Sequence, residues 1–374
     1  MVNAFAVKNE EATLNVIRDL CHIPAPSYGE RRRAEYCKAW LESVGARGVY
    51  IDEVNNCLFP MNCEGSQEIT VLAAHIDTVF PDTESYPEFR EDEECIYCPG
   101  VNDNTCRVAA VMMTAKYFLE NNVKPRGGIL FALNSCEEGL GNLVGTKEIF
   151  RAYEGRIKQF ITLDGGIGGA VNVAVGSRRY EVVAKTAGGH SYGAFGNKNA
   201  IAALSEIVGE IYALKVPVRE GAKTTYNVGT IEGGTSVNTI AQSAKMLCEY
   251  RSNDRECLAV MQEHFDRIFG KEREGVTLSV TLVGERLCKG EVDLAVEANM
   301  LKTYERIVRE VTGLEVKYHP SSTDANVPMS LGIPGVCLGV SIGRGSHTRE
   351  EYIEKRGTVP SVEISVKLML ALTA

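Results

Sequence analysis

The stretch Gly127-Gly-Ile-Leu-Phe-Ala-Leu-Asn-Ser-Cys-Glu-Glu-Gly-Leu-Gly141 opens as an apolar run and ends in two neighbouring carboxylates, Glu137 and Glu138, before a glycine-flanked turn. An apolar run bounded by glycines predicts a strand buried on both faces, as in a parallel sheet covered by helices. Side chains alternate along a strand, but in the loop just past its end two neighbours can both turn toward one site. One carboxylate could then bind a metal while the other handles a proton. Alone, a Glu-Glu pair reads as solvated surface.

Other segments repeat the pattern. Upstream, the apolar run Ile69 to Ala74 delivers His75-Ile76-Asp77, an imidazole and a carboxylate on one face. Downstream, Phe160 to Leu163 delivers Asp164, followed by two glycines. Between them, Gly100-Val101-Asn102-Asp103-Asn104 sets a carboxylate before a segment with helical spacing, Val108, Val111, Met112, Ala115 and Leu119. Singly, Asp103 suits a helix cap and Asp164 a turn. A histidine ending so apolar a strand needs partners for its ring nitrogens. Repetition decides the reading, because sites in parallel α/β sheets assemble where strands end.

The order of elements predicts an α/β fold in two parts. Helical segments at Leu14 to Asp19 and Arg31 to Val44 alternate with strands up to about residue 177, the pattern of a mostly parallel sheet. From Arg178 the order becomes strand, helix, strand, strand, helix, strand, a compact α+β unit. A helix from Asp293 to Val311 then leads back to a last strand, Ile333 to Val340, and a closing helix, Val362 to Leu372. The expected domains are therefore 1–177 with 288–374, interrupted by an insertion at 178–287.

Composition narrows the function. Lys and Arg total 40 against 49 for Asp and Glu, a net charge of −9 without a basic patch, which argues against nucleic acid or an anionic membrane as partner. No segment reaches the length of a membrane span and the N-terminus lacks a basic region before an apolar stretch, so the expected location is the cytoplasm. Twelve scattered cysteines are too dilute for a disulfide scaffold. Cys95 and Cys98 have the spacing of a redox or zinc pair, but no second pair follows, and packing is the favoured reading. Cys136 reads as strand-end packing.

The returning segment adds Gly343-Arg344-Gly345-Ser346-His347-Thr348 directly after a strand. The ligand candidates are then His75, Asp103, Glu138, Asp164 and His347. Two imidazoles and three carboxylates exceed what one tetrahedral zinc with an open position needs, but suit two metals sharing one carboxylate, with Asp103 as the natural bridge.

Together these segments resemble the dizinc metallopeptidase superfamily of peptidase T, glutamate carboxypeptidase, aminoacylase and succinyl-diaminopimelate desuccinylase. The resemblance is carried by Ala74-His75-Ile76-Asp77-Thr78-Val79, Gly100 to Asn104, Glu137 to Gly141, Leu163-Asp164-Gly165, Gly188-Gly189-His190-Ser191, Ser322-Thr323-Asp324-Ala325 and His347-Thr348. The Glu-Glu-Gly-Leu-Gly run and the His-Thr-x-x-Glu-Tyr-Ile ending at His347 to Ile353 look most like the peptidase T branch. The resemblance implies that His75 and Asp164 hold one zinc, Glu138 and His347 the other, and Asp103 both, with cobalt or manganese accepted by the same donors. It also implies that Glu137 is the general base for a metal-bridging water and that Asp77 orients the His75 ring. His190 would stabilise the oxyanion in a partner subunit, which implies a homodimer through the insertion. Asn238 and Arg251 would bind substrate, although Arg251 alone reads as a strand-surface charge.

Two departures bear on specificity. Where the peptidase T pattern continues with lysine and small residues after Asn104, this chain has Thr105-Cys106-Arg107, an arginine poorly placed for the helix dipole that must face substrate or a neighbouring acid. After Gly-Gly-His-Ser the usual proline is replaced by Tyr192-Gly193-Ala194-Phe195-Gly196. The expected activity is a metal-dependent aminopeptidase acting on short peptides. The same site would serve a carboxypeptidase, dipeptidase or N-acyl amino acid deacylase, and a non-catalytic dimeric metal-binding protein is the alternative of another class.

Overall fold

The three apolar runs lie side by side at the centre of one sheet. In the computed structural model, which describes residues 1–373, they are β3 (Ile69–His75), β4 (Gly128–Asn134) and β5 (Ile157–Leu163), joined by β1 (Tyr50–Ile51), β2 (Cys57–Met61), β6 (Gly169–Val171), β7 (Lys317–Tyr318) and β8 (Gly335–Leu338). Their order is β1-β2-β4-β3-β5-β8-β6-β7. β3 runs parallel to both β4 and β5, and β5 to β8, while β1, β2 and the β6–β8 contact are antiparallel. The sheet is thus mostly parallel, as the continuous apolar runs predict. Every residue of β3 and β4 is buried.

Alternation sends the two sides of each strand to different cores. Leu72, Ala74, Phe131, Leu133, Ile161 and Leu163 join the core that includes helices Glu10–Cys21, Arg31–Ser43, Cys106–Glu120, Leu294–Thr312 and Thr358–Thr373. Val71, Ala73, Leu130, Ala132 and Phe160 face the other side, with residues of helix Val144–Ala152. The short strands β1, β2, β6 and β7 escaped the sequence reading, because two to five residues at a sheet margin carry no period to detect.

The chain separates into one unit made of residues up to Ala174 and from Gly290 onward, and a second made of Val175–Lys289. The second is an antiparallel sheet with strand order Thr224–Gly233, Ser243–Ser252, Gly176–Lys185, Thr277–Arg286. Its core joins Tyr180, Val182, Met246 and Tyr250 of the sheet to Leu204 and Ile207 of helix Ala200–Tyr212 and Met261 and Phe265 of helix Arg255–Phe269. Asn199 and Asp254 cap these helices, their side-chain oxygens accepting first-turn amides. No helix among the described residues is long and apolar enough to cross a membrane.

Gly339, just past β8, brings two backbone segments together: its amide donates to Gly169 O at 3.0 Å, and a Cβ there would clash with the Gly166 carbonyl. Gly339→Ala is expected to destabilise the chain by about 1–3 kcal/mol through overpacking. Gly209→Ala, inside helix Ala200–Tyr212 with open space around it, is expected to stabilise the second unit by about 0.5–1 kcal/mol. Urea unfolding of the two variants checks the contrast.

Candidate metal centre

At the carboxyl end of β3, His75 sits in register with Asn134 of β4. Two residues on, the fully buried Asp77 carboxylate reaches the loop after β4. Its Oδ1 accepts the Glu137 amide at 3.0 Å, and its Oδ2 accepts the Glu138 amide at 2.9 Å and the Ser27 hydroxyl at 2.7 Å. Asp77 also fixes the imidazole, mainly through its backbone: His75 Nδ1 donates to the Asp77 carbonyl oxygen at 3.2 Å, with the carboxylate Oδ1 at 3.4 Å. A carbonyl only accepts, so the Nδ1 proton is set and Nε2 is turned to Asp103.

Asp103 presents one oxygen to each of two imidazoles. Its Oδ1 lies 3.1 Å from His75 Nε2 and its Oδ2 3.3 Å from His347 Nε2, and His347 Nε2 is 3.1 Å from Glu138 Oε1. His75, Asp103 and Glu138 offer ligand atoms that all lie within 4.8 Å of one another. His347 stands at the tip of the turn between strands Gly343–Arg344 and Tyr352–Glu354, which pair with each other. Asp164 follows β5 and is pinned by its amide to Leu338 O of β8 at 3.0 Å. Three strand ends, one loop that opens a helix and one turn thus supply the five ligand candidates.

Arg107 faces a neighbouring acid. Buried in the first turn of its helix, it lies 3.4 Å from Asp164 Oδ1 and donates to Gly165 O, Asn104 Oδ1 and Ser341 Oγ at 3.1, 3.0 and 2.8 Å, and to the Asn102 carbonyl. These bonds replace the helix-dipole partner it lacks.

The charges perturb one another strongly. Hydrogen bonds to Asp103 and Glu138 push the His347 imidazole up to about 10. Burial alone would lower His75, but Asp103 and Asp77 raise it well above the ordinary histidine range. Burial would likewise raise Asp103, yet bonds from His347 and His75 hold it far below the usual carboxylate range. Glu138 is raised by burial and then by Asp103, against the opposing pull of His347. Asp164 is raised by burial and by Asp103.

Three supporting carboxylates were not singled out as site residues in the sequence. Glu30 Oε1 accepts the Tyr28 and Cys136 amides at 2.8 and 3.1 Å, holding the residue before Glu137. Glu351 accepts the amides of Gly100, Asn102 and Asp103. Asp324 accepts from Thr146 Oγ1 at 2.5 Å and Asn134 Nδ2 at 2.8 Å, beside the end of β3. For Glu351 and Asp324 the available signal was membership of the quoted motifs; Glu30, in an acidic and basic helix start, offered none.

His190, Asn238 and Arg251 lie in the second unit. His190 and Thr239 are paired in a two-stranded ribbon, and Ser191 N donates to Asn238 O at 2.9 Å, so the first two share one turn region. His190 Nδ1 accepts the amides of Tyr192 and Gly193, both at 3.3 Å, which leaves the ring proton on Nε2 of an exposed imidazole. A proline at position 192 could not make that bond, so the departure there has a structural use. Arg251 is taken up by Glu249 of its own strand in a two-pronged pair, 2.6 and 3.0 Å, and Glu249 also accepts from Arg179 at 3.2 Å.

Comparison with known proteins places this geometry. The chain is 24% identical over 347 residues to succinyl-diaminopimelate desuccinylase of Corynebacterium glutamicum, covering 89% of both chains. It shares its fold with a tripeptidase from Staphylococcus aureus (TM-score 0.73, 21% identity, 97% of this chain and 99% of the other). A similar likeness holds for aminopeptidase PepT from Bacillus cereus (TM-score 0.70, 22% identity, 97% and 99%). Residues 71–373 match peptidase family M20/M25/M40, a span that includes every ligand candidate, and the chain belongs to that family of metal-dependent hydrolases of peptide and amide bonds.

Proposed function

We propose that this chain is a two-metal aminopeptidase that releases residues from short peptides, tripeptides first among them. The observation that carries the reading is Asp103, whose two oxygens face two different imidazoles at 3.1 and 3.3 Å, as a carboxylate shared between two cations does. The donor set fits such a pair: His75 and Asp164 would hold one ion, Glu138 and His347 the other, Asp103 both. Zinc is the first choice for borderline nitrogen and oxygen donors, with cobalt and manganese next. Bound there, the ions supply an acidified water and a polarised scissile carbonyl.

Glu137 supplies the proton transfer. Its amide is anchored to Asp77 while its side chain lies outside the ligand set, so it can take a proton from the attacking water and pass it to the leaving amine. His190, with its proton on Nε2, is suited to donate to the oxyanion in a partner subunit, with Asn238 beside it. Arg251 would exchange Glu249 for a substrate carboxylate, leaving Glu249 with Arg179. Strand Thr224–Gly233, at one margin of the inserted sheet and largely exposed, supports a homodimer formed through that unit. The twelve thiols are buried and unpaired, which suits the reducing cytoplasm. A second reading, an N-acyl amino acid deacylase, is favoured by the similarity to a desuccinylase over 89% of both chains. A carboxypeptidase or dipeptidase would use the same centre.

A panel of one tripeptide, its N-acetylated form, its C-terminal amide and an N-acyl amino acid separates these activities. Hydrolysis that requires the free amino group is expected; a requirement for the free carboxylate moves the assignment to carboxypeptidase or deacylase. Glu137→Gln is expected to reduce kcat by about 10²–10⁴ while metal content stays unchanged.

Proton linkage gives a test that needs no substrate. In chelator-treated protein at pH 7, His347 with its value near 10 carries a proton that metal uptake must displace. Uptake is therefore expected to release protons, and apparent affinity to rise by about tenfold per pH unit for each proton displaced. Calorimetry in two buffers of different ionisation heat measures the release. In the metal-free chain the His347 contribution to stability is present below about pH 6.5 and lost as pH rises through about 10.

A further inference from the structure

The turn that carries His347 is fastened to the loop that carries Asp103 by contacts that no role in the reaction yet explains. Glu351 is fully buried, and its Oε1 accepts the amides of Asn102 and Asp103 at 2.7 and 2.6 Å while Oε2 accepts that of Gly100 at 3.1 Å. On the other side of the same junction, Asn102 Nδ2 donates to Ser346 Oγ at 2.9 Å. One link binds the residue before Asp103 to the residue before His347. The other holds Asp103 itself from four residues past His347. Between them lies the 3.3 Å approach of Asp103 Oδ2 to His347 Nε2.

The anchoring is asymmetric. Behind the turn, Arg349 reaches Asp82 at 2.8 Å and Glu88 at 3.4 Å and lies over the Phe80 ring, so the turn is tied outward as well. Those bonds are among partly exposed groups and contribute little order. The Glu351 carboxylate, by contrast, meets three amides in a water-free place, where losing an acceptor leaves buried N–H groups unpaired. His75 and Asp164 have their own anchors, Asp77 and Leu338 O, and do not depend on this clamp.

We infer that Glu351, supported by the Asn102–Ser346 bond, is a positioning residue that sets the separation of Asp103 and His347 and so governs loading of the metal position shared by Glu138 and His347. The inference rests on the two-metal reading above but not on which substrate is cleaved.

The test is cobalt titration of chelator-treated protein, followed by absorption and by chelator competition, for wild type, Glu351→Gln, His347→Ala and the double variant. The glutamine keeps the volume but replaces one acceptor oxygen by an NH2 group that faces amide donors. The expected result is two equivalents in wild type and a loss of at least tenfold in the affinity of one of them in Glu351→Gln. That equivalent should be the one His347→Ala abolishes, with no further loss in the double variant. In peptide assays at limiting metal, kcat falls with KM unchanged. If both affinities stay at wild-type values while only the thermal midpoint drops, Glu351 merely stabilises the fold and the inference is overturned. Should Glu351→Gln fail to fold, Ser346→Ala tests the clamp from its other side, with about a threefold loss for the same equivalent expected and no change overturning the idea. A wild type that binds two cobalt ions but cleaves no peptide sinks the aminopeptidase reading alone; one that binds none sinks both.

Discussion

The arrangement depends on a single buried carboxylate. Asp77 has no access to water, so each of its lone pairs must find a donor in the protein. It finds them in the Glu137 and Glu138 amides and the Ser27 hydroxyl, with the His75 ring alongside. Burial would raise its pKa, yet the bond and charge of His75 and the Ser27 hydroxyl hold it below the usual value, so it stays ionised. Two consecutive amides bound to the two oxygens of one carboxylate fix the peptide plane between them. The backbone from which the Glu137 and Glu138 side chains depart is thereby fixed, as the proposed division into one ligand and one base would require.

The same device recurs in other loops of the site. Loops beyond the sheet have amides with no ladder to join, and buried amides need acceptors. Glu30 serves the turn before Glu137 and Glu351 the loop around Asp103. Asp324 meets the same need for side chains, those of Asn134 and Thr146. A carboxylate suits the task because each oxygen accepts more than one bond. Division of labour follows: Asp103 and Glu138 turn oxygens toward the imidazoles and Asp164 one toward Arg107, while the supporting residues hold the surrounding backbone and side chains.

How much of this was legible in the sequence follows from range. His75, Asp103, Glu138 and Asp164 were readable because each follows an apolar run or opens a helix, and parallel strands end on one side of the sheet. His347 was readable from its loop directly after a strand. The family resemblance, not periodicity, supplied the expectations for His190, Asn238, Arg251 and the pairing of ligands with metals. Glu30 and Glu351 were not readable as supports, because they act across 106 and about 250 positions and a lone glutamate carries no mark of what it will meet. Arg107 was read as facing substrate or a neighbouring acid, and that acid could not be named because Asp164 follows a strand distant in sequence from the helix that carries Arg107. The second unit is bounded at Val175 and Lys289, where the order of predicted elements sets 178 and 287; a crossing between strands of two sheets has no residue signature sharp enough to place it closer.

Charge balance explains why such a cluster of acids can fold at all. Asp103, Glu138 and Asp164 are close enough to repel, and taking like charges out of water is costly unless opposite charges accompany them. Within the chain those charges are Arg107 and the two imidazoles, both of which hold their protons far more tightly than a free histidine. The arginine is permanent, because a guanidinium does not give up its proton in a protein. The imidazole protons are exchangeable. In the proposed two-metal reading, cations would replace the protons at Nε2 atoms that already face Asp103, with Nδ1 of His75 and the supporting carboxylates unchanged. A lysine in place of Arg107 would carry the same charge but could not reach Gly165, Asn102, Asn104 and Ser341 at once. Arg107 thus forms a planar bracket between the loops that carry Asp103 and Asp164.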